Sequence, residues 1–484
     1  MLREIVKGGS LILLSVVFSK LLSLLYIPVL ARVLGPEGLG LYNLALTMLP
    51  WFVTLISLSL STIVAQTVAE HTKQKDRLPI IISTYAFFTL LLSLFGGLLH
   101  FFFARTIALD FFQTPELVGY LQLVSLGIAF AIFYNTIIGI ARGLKDFKLY
   151  FQMEVFKSFM FVALGLLFLL IFRYGVEGAL FALVISPLFP ILHLIWKHRR
   201  YFGSVLKLDV VFTGLRTGIW ITLISLLLTI LVTVDRFLLG RYTDPHTVGL
   251  YAAVTTLITA ISLIASSFKG SILPFVSENF VNKEHIRTTV EKVISYTLLL
   301  IGFCLLGLVA FRQEIILLAF GKDFLPSIPL VPLLGLTLLP FTIYILTHTV
   351  ILDRRLVGSA TRRLFPVWVL ALVIDFLLIK RFTVYGAAAG LFISHSLISV
   401  TFLQLLRKKF DLKIRRLFGL CFLIIFLVFV ALFLPSSLWY KIPLFLLLLL
   451  IYFIFLWSFR FVTQREIDIV LTRLNVFFTR FRQT

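Results

Sequence analysis

Residues 18–71 decide the fold of this chain, and they read FSKLLSLLYIPVLARVLGPEGLGLYNLALTMLPWFVTLISLSLSTIVAQTVAEH. A long apolar segment, which carries one ammonium at Lys20, ends near Arg32. Residues 35–38, Gly-Pro-Glu-Gly, then interrupt the apolar sequence before it resumes at Gly40. Because proline fixes φ and glycine accepts left-handed geometry, this interruption predicts a tight turn between two membrane helices. A lysine inside a bilayer costs at least ~2.5 kcal/mol, so we expect Lys20 to face an aqueous cavity within the protein.

The rest of the chain has the composition of a membrane protein. Of its 484 residues, 60% are hydrophobic, and the mean hydropathy is +1.06, whereas soluble proteins are about 45–50% apolar. Continuous apolar runs of about 20 residues recur from end to end, each long enough to cross the hydrocarbon core as a helix. Because these runs do not alternate with polar residues, helices are favoured over barrel strands. We therefore predict an all-α polytopic membrane protein.

We predict about 14 transmembrane helices joined by short polar segments. The predicted spans are 8–31, 39–66, 78–104, 116–140, 153–173, 175–197, 210–234, 248–275, 290–311, 326–350, 364–380, 384–406, 417–435 and 441–461. The first span lacks a small-residue cleavage site, so we expect it to be retained.

The net charge of +22 reflects membrane topology rather than nucleic-acid binding. Most of the lysines and arginines lie at the two termini and in the joints after even-numbered spans. The positive-inside rule then places both termini in the cytoplasm. We expect the protein in the cytoplasmic membrane of a prokaryote. We expect membrane lipids as partners and no nucleic acid. The tail at 462–484 alternates apolar residues and arginines at helical spacing, which predicts an amphipathic helix on an anionic leaflet.

The sequence contains no catalytic or metal-binding pattern. The two cysteines, Cys304 and Cys421, lie inside apolar runs and argue against a disulfide framework and a metal site. A phosphate-binding loop of the form G-x-x-x-x-G-K-[ST] and an H-E-x-x-H motif are both missing. We therefore predict a transporter, not an enzyme, with no bound cofactor. Coupling to H⁺, Na⁺ or the membrane potential stays open.

An internal repeat organises the chain. Gly40-Leu41-Tyr42 recurs as Gly249-Leu250-Tyr251, and Tyr174-Gly175 recurs as Tyr385-Gly386 at nearly the same offset. Since an offset of six helices preserves orientation, the repeat predicts two parallel six-helix lobes around a central cavity. The predicted domains are a first lobe at 1–209, a second lobe at 210–416, two additional helices at 417–461 and the tail at 462–484.

These motifs resemble those of the multidrug/oligosaccharidyl-lipid/polysaccharide (MOP) exporter superfamily. The resemblance rests on LGPEGLGLY at residues 34–42, after the first span, and on DRFLLG at 235–240 followed by VGLY after the seventh. Over residues 8–71 the chain looks most like the polysaccharide flippases and the branch that includes sporulation stage V protein B. Related lipid II flippases tend to carry two arginines where this chain has Lys20 and Tyr26, so the resemblance does not specify lipid II.

The resemblance implies a flippase that moves a polyprenyl-pyrophosphate-linked oligosaccharide from the inner to the outer leaflet by alternating access. Cations in the cavity would hold the pyrophosphate, and polar groups would contact the sugars. The candidate substrate-binding residues are Lys20, Tyr26, Gln122, Asn135, Lys157 and Arg216. The candidate gating or coupling residues are Arg32, Asp235, Arg236 and Asp375.

Structural roles for the same residues stay open. Lys20 could pair with a buried carboxylate, Lys157 could pair with Glu154 at helical spacing, and Arg216 could reach the membrane surface. Asp235 and Arg236 could form an ion pair, either as a gate or on the surface. Asp375 could hold the coupling cation or partner Lys20.

Three other functions also fit parts of the sequence. A cation-coupled multidrug exporter of the same fold would favour buried carboxylates. A membrane-embedded glycosyltransferase or polymerase would need catalytic carboxylates or a large external loop, and the odd-numbered joints here are short. A non-transporting scaffold would leave a buried charge such as Lys20 unexplained. We expect a monomer, and association with polysaccharide-assembly enzymes stays open.

Overall fold

The computed structural model describes residues 2–458 except 73, 75, 204, 280–281, 352–353 and 436. Side chains are described except those of residues 2–10, 13, 213, 216–217, 220, 224, 269–271, 273–275, 277–279, 354–361 and 456–458. The predicted amphipathic tail at 462–484 therefore lies outside the described residues, and so does the side chain of Arg216.

The regular structure of the described residues is helical throughout. The α-helices are α1 Leu2–Thr47, α2 Leu49–Ile56, α3 Leu60–Glu70, α4 Arg77–Thr106, α5 Leu117–Gly143, α6 Phe147–Leu166, α7 Gly175–Ile185, α8 Leu188–Lys197, α9 Asp209–Tyr242, α10 Pro245–Asn279, α11 Lys283–Ala310, α12 Arg312–Ala319, α13 Leu330–Leu336, α14 Leu338–Ile351, α15 Arg354–Phe410, α16 Ile414–Ala431 and α17 Leu438–Ser458. Turns of π-helix extend α4 and α6, at Ile107–Phe111 and Leu167–Ile171, and short 3₁₀ turns occupy Arg199–Tyr201 and Lys322–Ser327.

The prediction of an all-α polytopic membrane protein is confirmed. Eleven segments of the described chain are long and apolar enough to cross a membrane, and they account for twelve of the predicted spans, because the first segment, Leu14–Ile56, runs through the first turn. The other two predicted spans, 364–380 and 384–406, form the two parts of α15 on either side of Thr383. Thr383 has a φ of 50°, which breaks the helix where a joint is predicted.

The predicted turn at residues 35–38 is present as a sharp break inside α1. Gly35 has φ 67° and ψ 179°, a conformation that a residue with a Cβ rarely adopts. A second break was not predicted: Leu58 and Ser59 both have left-handed φ values, 48° and 55°, and separate α2 from α3. The second predicted span is therefore a chain of short helices rather than one continuous helix.

Asp146 begins α6 by accepting a hydrogen bond from the backbone N–H of Leu149 at 3.0 Å. Its carboxylate also contacts Lys197 Nζ at 2.8 Å and His198 Nε2 at 3.6 Å, which joins α6 to the end of α8. Burial alone would raise the pKa of Asp146, but Lys197 and the Leu149 amide outweigh it and hold this pKa below its usual value. The cap and the ion pair therefore both favour the ionised carboxylate.

The described chain forms two compact units. The first comprises 1–260, 316–334 and 361–398. Its largest apolar cluster packs α3, α4 and α5 together with parts of α6, α8 and α9, around buried side chains such as Tyr85 and Tyr134. The predicted domain boundaries at 209 and 416 stay a prediction.

The second unit comprises 261–315, 335–360 and 399–484. Here the two additional helices, α16 and α17, pack on α11: the Tyr452 hydroxyl donates to the Leu299 carbonyl at 2.7 Å. Gly302 leaves room for this approach, since a Cβ there would lie 3.1 Å from the Tyr452 oxygen. The nearly buried Lys441 pairs with Glu314, which fixes the start of α17.

Candidate functional site

Lys20 is an exposed cation within the first membrane-spanning segment. Its ammonium forms no ion pair or hydrogen bond with a described residue. The alternative in which a buried carboxylate, Asp375 in particular, pairs with Lys20 is therefore not found. A cation without a counter-ion at this depth can take an anionic ligand without first breaking a salt bridge.

The neighbouring candidate Tyr26 is buried, with only 1% of its surface exposed. Its ring meets Phe161 edge to face at 4.9 Å, and its Cε2 would lie 2.8 Å from a Cβ at Gly165. Gly165 thus allows α6 to approach α1 closely. In this conformation Tyr26 joins two helices and is closed to substrate.

Lys157 and Glu154 pair on α6, as their spacing predicts, with Nζ 3.4 Å from Oε2. The Tyr134 hydroxyl donates to the other oxygen, Oε1, at 3.0 Å, and the Lys157 ammonium lies 4.3 Å from the Tyr134 ring centre. The three side chains link α5 to α6. Asn135 lies beside them in a cavity of α5 and α6, whereas Gln122 lies partly buried further back on α5 and has no hydrogen-bond partner among the described residues.

Asp235 and Asp375 are almost completely buried, with 3% and 1% of their surfaces exposed. The Tyr251 hydroxyl donates to Asp235 Oδ2 at 2.6 Å, and the Ser394 hydroxyl donates to Asp375 Oδ1 at 2.8 Å. The second oxygen of each carboxylate has no partner among the described residues. Each carboxylate therefore has an oxygen available to bind a proton or a small cation.

A glycine makes room for the Asp375 carboxylate. A Cβ at Gly390 would lie 2.6 Å from Asp375 Oδ1, so only glycine lets the second part of α15 approach the first here. Sequence reasoning singled out both aspartates but missed Ser394 and the hydrogen-bonding role of Tyr251. The sequence feature that could have pointed to one of these two residues was the internal repeat, which contains Tyr251.

Arg236 does not pair with Asp235. Its Nη2 donates to Thr255 Oγ1 on α10 at 3.2 Å, so the two consecutive side chains of α9 reach two successive turns of the next helix. Arg32 lies at the C-terminus of α12, where Nε donates to the Ala319 carbonyl at 3.1 Å and Nη2 donates to the Leu318 carbonyl. A guanidinium at this position satisfies carbonyls that the helix leaves unpaired.

Contacts also run along the whole of α9. Ser59 and Thr222 share a hydrogen bond of 2.9 Å, the Trp51 indole donates to Thr233 Oγ1 at 2.5 Å, and Arg241 donates to the Phe111 carbonyl at 3.1 Å. These contacts hold α9 against the second predicted span and against the end of the segment that contains the third.

Near the start of α10, which follows α9 in the chain, Gly249 makes a reciprocal backbone contact with Gly40. A Cβ on Gly40 would overlap the carbonyl oxygen of Pro245, and a Cβ on Gly249 would overlap that of Pro36. Each added Cβ would also lie 3.0 Å from the backbone nitrogen of the opposite glycine. The first turn therefore meets the start of α10 backbone to backbone, at the end of the helices that the charge distribution predicts to be outside.

The described residues contain no group of three or more side chains suited to hold a metal ion.

Comparisons with known proteins show to which family this chain belongs. A family model described as polysaccharide biosynthesis protein matches residues 5–280, more than half of the chain. The chain belongs to this family.

A curated relative of this polysaccharide biosynthesis family member is a putative O-antigen transporter from Shigella flexneri, 22% identical over 309 residues that cover 61% of this chain and 72% of the relative. Two solved structures share the fold. The lipid II flippase MurJ in an inward closed conformation has a TM-score of 0.71 at 16% identity, covering 93% of this chain and 99% of MurJ.

The inward-facing conformation of a multidrug resistance MATE family transporter has a TM-score of 0.68 at 15% identity, covering 83% of this chain and 95% of that one. The chain is therefore a multi-pass helical membrane protein of the polysaccharide biosynthesis family with the fold of MOP superfamily transporters. Its named relatives are transporters and a flippase rather than enzymes, as the sequence predicts.

Proposed function

We propose that this protein moves a polyprenyl-pyrophosphate-linked oligosaccharide from the inner to the outer leaflet of a prokaryotic cytoplasmic membrane, for cell-surface polysaccharide or cell-wall synthesis. The family supports the polysaccharide context, and the relative named for O-antigen transport supports a lipid-linked substrate. Both termini lie in the cytoplasm and the protein acts as a monomer, alone or beside polysaccharide-assembly enzymes. Membrane lipids surround it.

Lys20 is the observation that carries the proposal. Its ammonium is exposed inside an apolar span and has no counter-ion among the described residues, so it attracts an anion into the membrane. A pyrophosphate offers several charged oxygens to one ammonium, and charge-assisted hydrogen bonds of this kind are about twice as strong as neutral ones. Arg216 is a second cation for the same headgroup on the seventh predicted span.

The mechanism we propose is alternating access driven by a coupling cation. Asp235 and Asp375 each keep one carboxylate oxygen without a described partner, so that each can bind a proton or Na⁺. Neutralising these buried carboxylates changes how α9, α10 and α15 pack. Arg32 and Arg236 act in the gate, because each ties one helix to another through hydrogen bonds that must break when the helices rock apart.

The first experiment reconstitutes the protein in vesicles with undecaprenyl pyrophosphate that carries N-acetylglucosamine. We expect the wild type to move this lipid between leaflets and Lys20→Ala to lose most of that movement while retaining wild-type thermal stability. Phe18→Ala, at another exposed position of α1, serves as the control. Normal flipping by a folded Lys20→Ala protein would refute the role of Lys20.

A cation-coupled multidrug exporter is the second candidate, and the buried carboxylate pair favours it. Both aspartates are nearly inaccessible, however, which suits a small ion better than a bulky organic cation. Efflux of a cationic dye from the same vesicles, without movement of the sugar lipid, would favour this alternative.

A further inference from the structure

A cavity of about 270 Å³, lined by both polar and apolar side chains, lies among α1, α5, α6 and α7. We call it the Asn135 cavity. Its polar lining consists of Ser23, Tyr134, Asn135, Lys157, Ser158 and Ser186. Polar side chains from four spans around one opening are costly in a membrane protein unless they have a ligand or water to bind.

The charges around the Asn135 cavity cancel. Lys157 is the cation of the lining, and the Glu154 carboxylate neutralises it at 3.4 Å. About 30% of the Lys157 side chain and 17% of the Glu154 side chain remain exposed. Because Glu154 already neutralises the Lys157 ammonium, the cavity offers an anion no unpaired cation to bind, and an organic cation would meet Lys157. The site is therefore suited to a neutral ligand.

Hydrogen-bonding groups remain available around the opening. The Asn135 amide and the Ser158 hydroxyl have no hydrogen-bond partner among the described residues. An amide offers two donors and one acceptor oxygen, and a hydroxyl both donates and accepts. A ligand rich in hydroxyl groups, which also donate and accept, matches this set.

The cavity also lies on the same side of α1 as the proposed pyrophosphate site. Ser23 follows Lys20 by three residues, which places the two side chains on one face of the helix about 4.5 Å apart along its axis. A pyrophosphate held by Lys20 therefore brings the group attached to it to the mouth of the cavity.

We propose that the Asn135 cavity binds a single neutral sugar ring, the one joined directly to the pyrophosphate. This inference rests on the proposed function. It adds which part of the substrate headgroup the protein recognises. Ligand pockets span about 300–1,000 Å³, so a cavity at the lower limit of that range holds one ring and excludes the rest of the oligosaccharide.

Two variants test the proposal with two probes. Ala131→Phe fills the cavity from α5, where Ala131 forms part of the wall, and Asn135→Leu removes the amide at nearly constant volume. Leu126→Phe is the matched control, because Leu126 lies on the same helix with 55% of its surface exposed. The probes are undecaprenyl pyrophosphate carrying one N-acetylglucosamine and the same lipid without sugar, each in reconstituted vesicles.

We expect both cavity variants to lower flipping of the sugar-bearing lipid about tenfold, as the loss of one or two hydrogen bonds predicts. Flipping of the bare lipid should stay at the wild-type rate, and Leu126→Phe should change neither rate. If Ala131→Phe does not fold, Asn135→Leu alone decides the result.

Unchanged flipping of the sugar-bearing lipid in the cavity variants would overturn the proposal, and so would an equal loss with both lipids. Either result leaves the proposed function intact as long as the wild type moves the sugar-bearing lipid. A wild type that moves neither lipid would instead refute the proposed function and, with it, the sugar site.

Discussion

At the scale of single residues, the buried acids distinguish this protein from an ordinary helical bundle. An ionised carboxylate inside a low-dielectric region is costly unless it is paired or hydrogen-bonded. Asp235 and Asp375 each receive one hydrogen bond, from Tyr251 and Ser394, and each keeps one oxygen without a described partner. A bound cation or proton would remove the remaining cost, which explains why such a pair is tolerated.

Neutral substitution should uncouple transport from the ion gradient. We expect Asp235→Asn and Asp375→Asn to flip lipid at the same rate with and without an imposed Na⁺ or H⁺ gradient, because neither amide can gain or lose a charge. Their thermal stability should match or exceed that of the wild type, since a buried charge is removed. The measurement is flipping under each gradient, with the exposed Asp110→Asn as the control. A gradient response that survives both substitutions would contradict the coupling role.

A different aspartate, Asp146, should govern part of the acid stability. Its pKa lies below the usual value because Lys197 and the Leu149 amide outweigh burial, so its stabilising effect is present above the unfolded pKa of about 4. That effect is lost as the pH falls through the lower pKa of the folded protein.

We expect Asp146→Asn to lower stability by about 1 kcal/mol at pH 7, through loss of the charge that pairs with Lys197. The difference from the wild type should shrink toward pH 3. Thermal unfolding in detergent at several pH values measures it. Asp76→Asn is the control, because Asp76 precedes α4 without capping it. A stability difference between the two proteins that grows as the pH falls would contradict the assigned direction of the Asp146 pKa shift.

At the scale of helices and turns, proline and glycine determined what could be predicted. The turn at residues 35–38 followed from its residue types, and the break at Gly35 confirms it. The break at Leu58 and Ser59 has no such signal in LISLSLS. It occurs where Ser59 bonds Thr222 and where a Cβ at Gly218 would lie 2.6 Å from the Leu58 carbonyl oxygen. That break depends on a helix about 160 residues away in the sequence, which local patterns do not encode.

The reciprocal contact of Gly40 with Gly249 gives the sharpest prediction at this scale. An added methyl group cannot fit against a backbone carbonyl, so we expect Gly40→Ala and Gly249→Ala to hold the two turns apart. Flipping should fall at least about tenfold. A cysteine at Val248 should also become more reactive toward an impermeant maleimide. Gly119→Ala is the control, because nothing lies within 4 Å of an added Cβ there. Normal flipping by both variants would show that transport does not need this contact.

At the scale of the molecule, the sequence was enough to predict an all-α membrane protein, because span length and apolar content follow directly from the thickness of the bilayer. The prediction of a transporter came from the missing catalytic motifs and from the resemblance to the MOP exporter superfamily. Side-chain partners were predictable only within one helix, as for Lys157 and Glu154. The partners of Arg32, Asp235 and Arg236 lie on other helices. Those pairings require the packing of the whole bundle, and local sequence could not show that Asp235 and Arg236 have separate partners on α10.

Alternating access requires α9 to move relative to the earlier helices during each cycle. The Oγ atoms of Ser59 and Thr222 lie 2.9 Å apart, a separation that suits a cross-link between cysteines at these two positions. In a background with Cys304→Ser and Cys421→Ser, we expect oxidation of Ser59→Cys with Thr222→Cys to stop flipping and a reductant to restore it. Each single cysteine variant provides the control. Full activity of the cross-linked protein would mean that α9 stays in place during transport.

The glycine contact also has a consequence for genetics. In most packed interfaces, a harmful enlargement on one side can be relieved by a smaller side chain on the other. Here the opposing group at each glycine is a main-chain carbonyl, of Pro245 or of Pro36, and it has no side chain to shorten. A suppressor screen that begins with Gly40→Ala should therefore recover insertions, deletions or backbone-altering changes near residues 243–247, and should recover no compensating replacement at Gly249.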